Sequence, residues 1–134
     1  MTSALIDSNA ILRYLTNDVV EQAGKVENYL LKAEKGEIKL EVRTEVIIEV
    51  IFHLVNWYKL PKAEACDKII AFISPDWMNV PSKSAALEAL QLYRTKNIDF
   101  VDLLLWSIAK VDGKKILSFD KDFDKLQPTL RLPL

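Results

Sequence analysis

Short apolar segments alternate with segments of helical periodicity along this chain of 134 residues, and this order restricts the possible folds more than any other feature. Five stretches are short, apolar or alternating, and bounded by polar or turn-forming residues, which predicts strands. They are residues 4–6, 38–42, 77–80, 115–119 and 129–132. Because helical segments separate most of them, the sequence predicts an α/β sandwich with a mostly parallel central sheet flanked by helices.

Helices are predicted where apolar residues recur at a spacing of three to four positions. They cover about residues 10–15, 20–35, 45–58, 61–73, 82–93 and 100–111. Residues suited to capping stand at several helix starts: Ser8, Asn9, Thr44, Ser82 and Asp99. Two glycines stand where helices should end, Gly36 and Gly113. Without repeats or a linker-like tract, residues 1–134 are predicted to form a single domain.

Composition excludes several classes of protein. Half of the residues are hydrophobic, 28% are charged and the formal net charge is -1, so the chain has no general basic field to attract nucleic acid. Cys66 and His53 are each alone, which rules out an intramolecular disulfide and a Cys-rich zinc site. No apolar run approaches the roughly 18 residues of a membrane span. No signal peptide is apparent, so we expect a cytoplasmic protein without a membrane segment.

Two acidic residues directly follow predicted strands. Asp7 comes after the first strand, and Asp120 comes after the strand at 115–119. The carboxyl ends of parallel strands form the edge where α/β proteins place their sites, so both carboxylates are candidates for chemistry. Asn9 could orient Asp7 by hydrogen bonding. For Asp7 an alternative is open, because a carboxylate in a strand-to-helix turn also serves to start a helix.

The predicted helix at 45–58 carries the next candidate. Its apolar residues cover well over half of its circumference and leave one narrow polar line. That line consists of Glu45, Glu49, His53 and Asn56. A carboxylate in such a helix needs a partner, because an unpaired buried charge is costly. Periodicity does not choose between Glu45 and Glu49, although the helix dipole already explains a first-turn acid at Glu45. A solvated stripe or a buried ion pair remains an alternative.

A further group of acids lies in the last third of the chain. Asp99 could be the N-cap of the last predicted helix and Asp102 its partner in a loose capping box, although Glu or Gln is preferred there. Asp120, Asp122 and Asp124 are spaced as in a calcium-binding loop, but the glycine and the glutamate that this loop requires are missing. The last two of these acids are therefore expected to be surface residues.

The combination of acids is more specific than any one of them. Acids follow two strands, stand near one helix start and interrupt one apolar helix. Clustered carboxylates repel one another and are normally held together by a cation. Because the chain has no Cys or His cluster, the ligands would all be hard oxygens, which favour Mg²⁺ or Mn²⁺ over zinc.

Four segments in this order and spacing resemble the PIN-domain family, in particular its VapC-type toxins. They are Leu5-Ile6-Asp7-Ser8-Asn9, Ile48-Glu49-Val50, Phe100-Val101-Asp102 and Leu117-Ser118-Phe119-Asp120-Lys121-Asp122-Phe123. The similarity covers nearly the whole chain. It implies a PIN-like three-layer sandwich with a mostly parallel central sheet of four or five strands.

The resemblance also implies which residues act and on what. The catalytic and metal-binding quartet would be Asp7, Glu49, Asp102 and Asp120. The supporting residues would be Asn9, Ser118 and Asp99. Ser118 stands where such proteins often carry Thr, and Glu45 is not expected to be a ligand. The implied activity is metal-dependent hydrolysis of RNA by the toxin of a toxin–antitoxin pair, with Mg²⁺ or Mn²⁺ as cofactor. The implied partners are RNA, a small antitoxin and a second copy of the chain.

Two other functions fit part of the pattern. One is a receiver-like domain with Asp7 as phosphate acceptor, but no D-x-D follows the first strand and no strand-end Lys is evident. The other is a catalytically inactive PIN-like module that binds RNA or protein, against which four mutually repelling acids argue. His53 is expected to be structural or adjacent to the site. The aromatic residues expected to pack rather than stack on bases are Trp57, Tyr58, Trp77 and Trp106.

Overall fold

The computed structural model describes residues 1–134 and contains three strands and six long helices. In chain order these are β1 (Ser3–Leu5), α1 (Ser8–Thr16), α2 (Val20–Glu34), β2 (Lys39–Glu41), α3 (Thr44–Asn56), α4 (Lys62–Ile73), β3 (Met78–Asn79), α5 (Lys83–Tyr93) and α6 (Phe100–Asp112). A short 3₁₀ helix, Lys121–Lys125, follows α6. All six predicted helices are present, with ends close to the predicted ones, because their apolar periodicity is long and regular.

The three strands form one parallel sheet in the order β1-β2-β3. The α/β class and the parallel sheet flanked by helices are therefore confirmed. Ala4 pairs with Leu40, and Leu40 pairs with Met78, so these three side chains share one face of the sheet. Leu40 and Met78 are buried in the core, whereas Leu5, on the opposite face, is 68% exposed. The outer layer of a three-layer sandwich thus does not cover the sheet at Leu5.

The last two predicted strands do not form, so the sheet has three strands and not four or five. Ile116 makes a single parallel bridge with Arg131, and no ladder extends from it. Directly after the bridge, the Ser118 hydroxyl accepts the backbone N–H of Asp120 at 3.0 Å. Hydrogen bonds of this kind between side chain and backbone compete with strand pairing. The apolar pattern around Ile116 therefore yields only this bridge, because such a pattern does not reveal the local turn at Ser118.

Helix ends follow the sequence more closely than helix starts. Gly36 and Gly113 both adopt the left-handed conformation after α2 and α6, with φ values of 80° and 67°, as predicted. Thr44 does not cap α3 but is its first residue. Ser82 and Asp99 occupy N-cap positions, yet neither makes a side-chain capping hydrogen bond. For Ser82 the cause is its left-handed backbone, which differs from the extended conformation of most N-caps.

One hydrophobic core joins the helices to the sheet. It includes Leu54 of α3, Ile69 of α4, Leu90 of α5 and Leu103 of α6, all of them fully buried or nearly so. Cys66 also lies in this core, and burial raises the pKa of its thiol to about 11. None of the helices combines the length and the apolar character needed to cross a bilayer.

Candidate active site

Asp7 lies in the turn between β1 and α1. Its backbone is extended and its carboxylate accepts the N–H of Ala10 at 2.9 Å, so Asp7, and neither Ser8 nor Asn9, caps α1. The helix-starting role that the sequence left open is therefore present. It occupies one carboxylate oxygen of an exposed side chain. Since a carboxylate has two oxygens, capping and ligand binding are compatible at Asp7.

Glu49 approaches this turn from α3. Its Oε1 accepts a hydrogen bond from the Ser8 hydroxyl at 2.9 Å, which joins two residues 41 positions apart. Glu45 lies about one turn earlier on the same helix and pairs instead with Arg43 at 3.6 Å. The structure thus separates the two acids that periodicity could not separate. Of the two acids, only Glu49 contacts Ser8, the residue next to Asp7.

Asp102 lies half-buried in the first turn of α6 and has three acidic neighbours. Burial raises the pKa of Asp102, and the negative charges of Asp120, Asp99 and Asp122 raise it further. A raised pKa is the expected property of a carboxylate that shares a site with like charges. The structure therefore brings Asp102, Asp120 and the predicted auxiliary acid Asp99 into one acidic group.

The loop that carries Asp120 is fixed by hydrogen bonds. The Ser118 hydroxyl supports the Asp120 backbone, and the Asp120 carboxylate accepts the N–H of Asp122 at 2.8 Å. Arg131 donates to the Ser118 carbonyl at 3.3 Å and to the Asp124 carboxylate at 2.8 Å. Through these hydrogen bonds Arg131 also lowers the pKa of Asp124. Ser118 thus positions Asp120 through the backbone.

The four predicted acids form two groups and no closed cluster. Asp7 and Glu49 are linked through Ser8, and Asp102 and Asp120 share the second group. The charges that raise the pKa of Asp102 do not include those of Asp7 or Glu49. No three Asp, Glu, His or Cys side chains lie close enough together to hold a metal ion.

The chemistry of these acids nevertheless fits a hard divalent cation. All four offer oxygen donors, which Mg²⁺ and Mn²⁺ prefer. Mg²⁺ in particular is usually bound through one or two carboxylates, while waters and substrate phosphates complete its coordination. Asp102 and Asp120 offer that number of carboxylates.

A cavity of about 420 Å³ adjoins Glu49. It is lined by Ser8, Asn9, Leu12, Arg13, Glu49, His53, Trp57 and Tyr58. The Nδ1 of His53 lies 2.7 Å from the Glu49 carbonyl oxygen, which can only accept, so Nδ1 carries the hydrogen. The prediction that His53 is structural or adjacent to the site agrees with this position.

Trp57, which the sequence predicts to pack rather than to stack on bases, does not lie in the core. Trp57 is 73% exposed, whereas Trp106 is buried and donates to the Pro128 carbonyl at 3.0 Å. The sequence contains a signal for this difference. Trp57 stands eight residues after Glu49 and four after His53, so it continues the polar line of α3.

Fold and acids together define a class of protein: an α/β domain whose carboxylates at strand and helix ends suit a divalent cation. The sequence matches the PIN domain family over residues 4–127. It is also 32% identical over 124 residues to the VapC ribonuclease of Aquifex aeolicus (strain VF5), a match that covers 91% of this chain and 90% of that protein. The chain therefore belongs to the PIN domain family, and the resemblance seen in its four segments is confirmed.

Proposed function

We propose that this protein is a metal-dependent endoribonuclease, the VapC-type toxin of a toxin–antitoxin pair, which acts in the cytoplasm. The observation that supports this function most directly is the group of carboxylates around Asp102 in a chain of the PIN domain family. The similarity to a VapC ribonuclease along most of both chains supports RNA as the substrate. The proposed ligands of Mg²⁺ or Mn²⁺ are Asp7, Glu49, Asp102 and Asp120.

The proposed site consists of two pairs of carboxylates, each held by a serine hydroxyl. Asp102 and Asp120 provide one pair of carboxylates, and the Ser118 hydroxyl keeps the Asp120 backbone in place. Asp7 and Glu49 provide the other pair, in which the Ser8 hydroxyl orients Glu49. When bound, the cation supplies activation of water and neutralisation of charge on the reacting phosphate. Asn9 and Asp99 are proposed to support the two groups.

Removal of metal should abolish the activity. With a labelled single-stranded RNA, we expect cleavage in Mg²⁺ or Mn²⁺, none in excess chelator, and recovery when Mn²⁺ is added back. The reason is that, without the cation, nothing activates the attacking water or neutralises the charge on the reacting phosphate. Product analysis on a denaturing gel measures the cleavage. Full cleavage in chelator would rule out the metal-dependent mechanism, and RNA binding without cleavage in any metal would favour the inactive PIN-like module.

Self-association and binding of a small antitoxin belong to the same proposal. Phe52 on α3 is 56% exposed between the half-buried Ile48 and Val55, and α6 exposes Val101 and Leu105. Apolar patches of this kind are typical of contact surfaces. Light scattering is expected to give the mass of a dimer, and a strict monomer at high concentration would contradict it. Co-purification with a small protein encoded beside this chain tests the antitoxin.

A further inference from the structure

Trp57 presents a large apolar surface to solvent beside the proposed active site. It is the C-cap residue of α3, and its 73% exposure contrasts with the burial of Ile47, Val50, Ile51 and Leu54 on the same helix. Burying an aromatic ring is among the more favourable contributions to folding, so an exposed indole forgoes that contribution. The position therefore calls for an account other than packing within the chain.

The indole does not stand alone, because an imidazole supports it. The ring centroids of His53 and Trp57 are 6.0 Å apart and their planes are inclined by 32°. The imidazole is itself held by the hydrogen bond to the Glu49 carbonyl at 2.7 Å. This support gives the indole a preferred orientation before any ligand arrives. A preorganised flat surface loses little entropy on binding.

The cavity that these two rings help to line has the volume of a small-ligand site. Its volume of about 420 Å³ falls in the range of roughly 300–1,000 Å³ typical of such sites. Ser8 and Asn9 contribute polar groups to the wall, and Glu49 contributes a proposed catalytic carboxylate. A ligand bound here would therefore lie next to the groups that are proposed to act on RNA.

The charges of the cavity favour an uncharged flat group over a phosphate. Arg13 is the cavity's only arginine or lysine, and its Nε and Nη1 donors are already engaged. It donates to Gln22 at 3.0 Å and to Asp18 and Tyr58 at 3.2 Å each. The Glu49 carboxylate adds a negative charge that repels an anion. What remains is an aromatic face with polar groups at its edge, which suits a nucleobase.

We propose that this cavity binds an unpaired RNA base, with Trp57 as the stacking platform and His53 as the residue that positions it. The inference rests on the proposed ribonuclease function and adds a base-binding subsite to it. Stacking of bases on aromatic side chains tolerates any base sequence and typically changes affinity by roughly 5- to 150-fold when the ring is removed. The subsite selects single-stranded RNA, because a base within a duplex has no free face.

The first test measures binding without metal, so that no RNA is cut. Anisotropy of a labelled single-stranded oligoribonucleotide is expected to show that Trp57→Ala binds roughly 5- to 150-fold more weakly, whereas Trp57→Phe stays close to the parent. RNA is expected to quench tryptophan fluorescence of the parent but much less that of Trp57→Phe. Tyr29→Ala is the matched control, because Tyr29 is an exposed aromatic residue on α2 outside the cavity. A duplex of the same sequence should bind the parent and Trp57→Ala equally.

The second test measures steady-state cleavage with metal. Trp57→Ala is expected to raise KM by a similar factor with kcat nearly unchanged, since the indole binds substrate away from the reacting phosphate. If the parent cleaves RNA but Trp57→Ala has parental Kd and KM, the subsite is wrong and the ribonuclease stands. If Trp57 is needed for binding but the parent does not cleave, the ribonuclease is wrong and the subsite stands. Loss of a dimer in Trp57→Ala with unchanged RNA affinity would identify a protein contact and overturn the proposal.

Discussion

Replacing Asp102 with Asn is expected to abolish metal-dependent RNA cleavage while the fold stays intact. Asn is nearly isosteric with Asp, and Asp102 makes no capping hydrogen bond on which α6 depends. The change removes one charge from the group that Asp102 forms with Asp120 and Asp99. Loss of a group that merely supports a metal ligand costs roughly 10- to 100-fold in affinity or activity. Loss of a ligand should therefore exceed about 100-fold.

Thermal melts separate this explanation from simple unfolding. Because the folded-state pKa of Asp102 is raised, its ionisation disfavours the native state. Without metal, the parent should gain stability as the pH falls through that raised pKa, and Asp102→Asn should lack this gain. Near neutral pH the variant should be at least as stable as the parent. Mn²⁺ at 100 times its Kd for the parent should stabilise the parent by about 2.7 kcal/mol, whereas a variant that does not bind Mn²⁺ gains nothing. With Mn²⁺ the parent should therefore be the more stable of the two.

Asp112→Asn provides the matched control for this prediction. It makes the same chemical change on the same helix, but at the exposed C-terminal end of α6, where Asp112 lies 3.7 Å from Lys114. We expect parental cleavage and a parental response to Mn²⁺. If Asp102→Asn also cuts at the parental rate, Asp102 serves only as a first-turn acid of α6 and the assignment of the quartet is wrong.

The sequence predicted the helical part of the fold well and the sheet only in part. Helices are specified locally, because all of them except the shorter α1 repeat their apolar pattern over three or more turns. Strands here are three residues long or shorter, so each has too few residues to define a period. At Ile116 the outcome depended on the hydroxyl of Ser118 and on the guanidinium of Arg131. Such tertiary and side-chain contacts are not visible in an apolar pattern.

The candidate acids were predictable by type and position but not by arrangement. The sequence placed Asp7 after a strand and Glu49 on the polar line of α3, and the structure links them through Ser8. Asp102 and Asp120 lie 18 positions apart, and only the fold brings their charges together. The sequence does not predict that the pair of Asp7 and Glu49 is separate from the pair of Asp102 and Asp120. This separation depends on how α3 and α6 pack against the rest of the domain.

The exposure of Trp57 was missed because the exposed line of α3 was defined from polar residues alone. The polar line of α3 was identified from Glu45, Glu49, His53 and Asn56, all of them polar residues. Position, however, determines exposure as much as polarity does, and Trp57 occupies the next place on that line. The exposure of Trp57 is informative because this ring also lines the cavity beside Glu49.

Truncation of Leu103 is expected to destabilise the domain more than any surface change. Leu103 is 0% exposed and follows Asp102 in the first turn of α6, where it packs in the core. Leu→Ala at a buried site removes transfer free energy and leaves a cavity, which together cost about 2–5 kcal/mol. Leu31→Ala makes the same change on α2, at a side chain that is 47% exposed and is not part of the proposed contact surface, so it should cost less than about 1 kcal/mol.

Urea unfolding of the parent and both variants, with m values compared, measures the two free energies. Cleavage measured in the same urea solutions tests whether the site depends on this part of the core. Because Leu103 anchors the turn that presents Asp102, Leu103→Ala should lose cleavage at a lower urea concentration than the parent, in step with its unfolding. Leu31→Ala should shift both midpoints much less than Leu103→Ala does. Equal losses of stability in the two variants would mean that α6 does not bury Leu103, and the placement of Asp102 beside Asp120 would then fail with it.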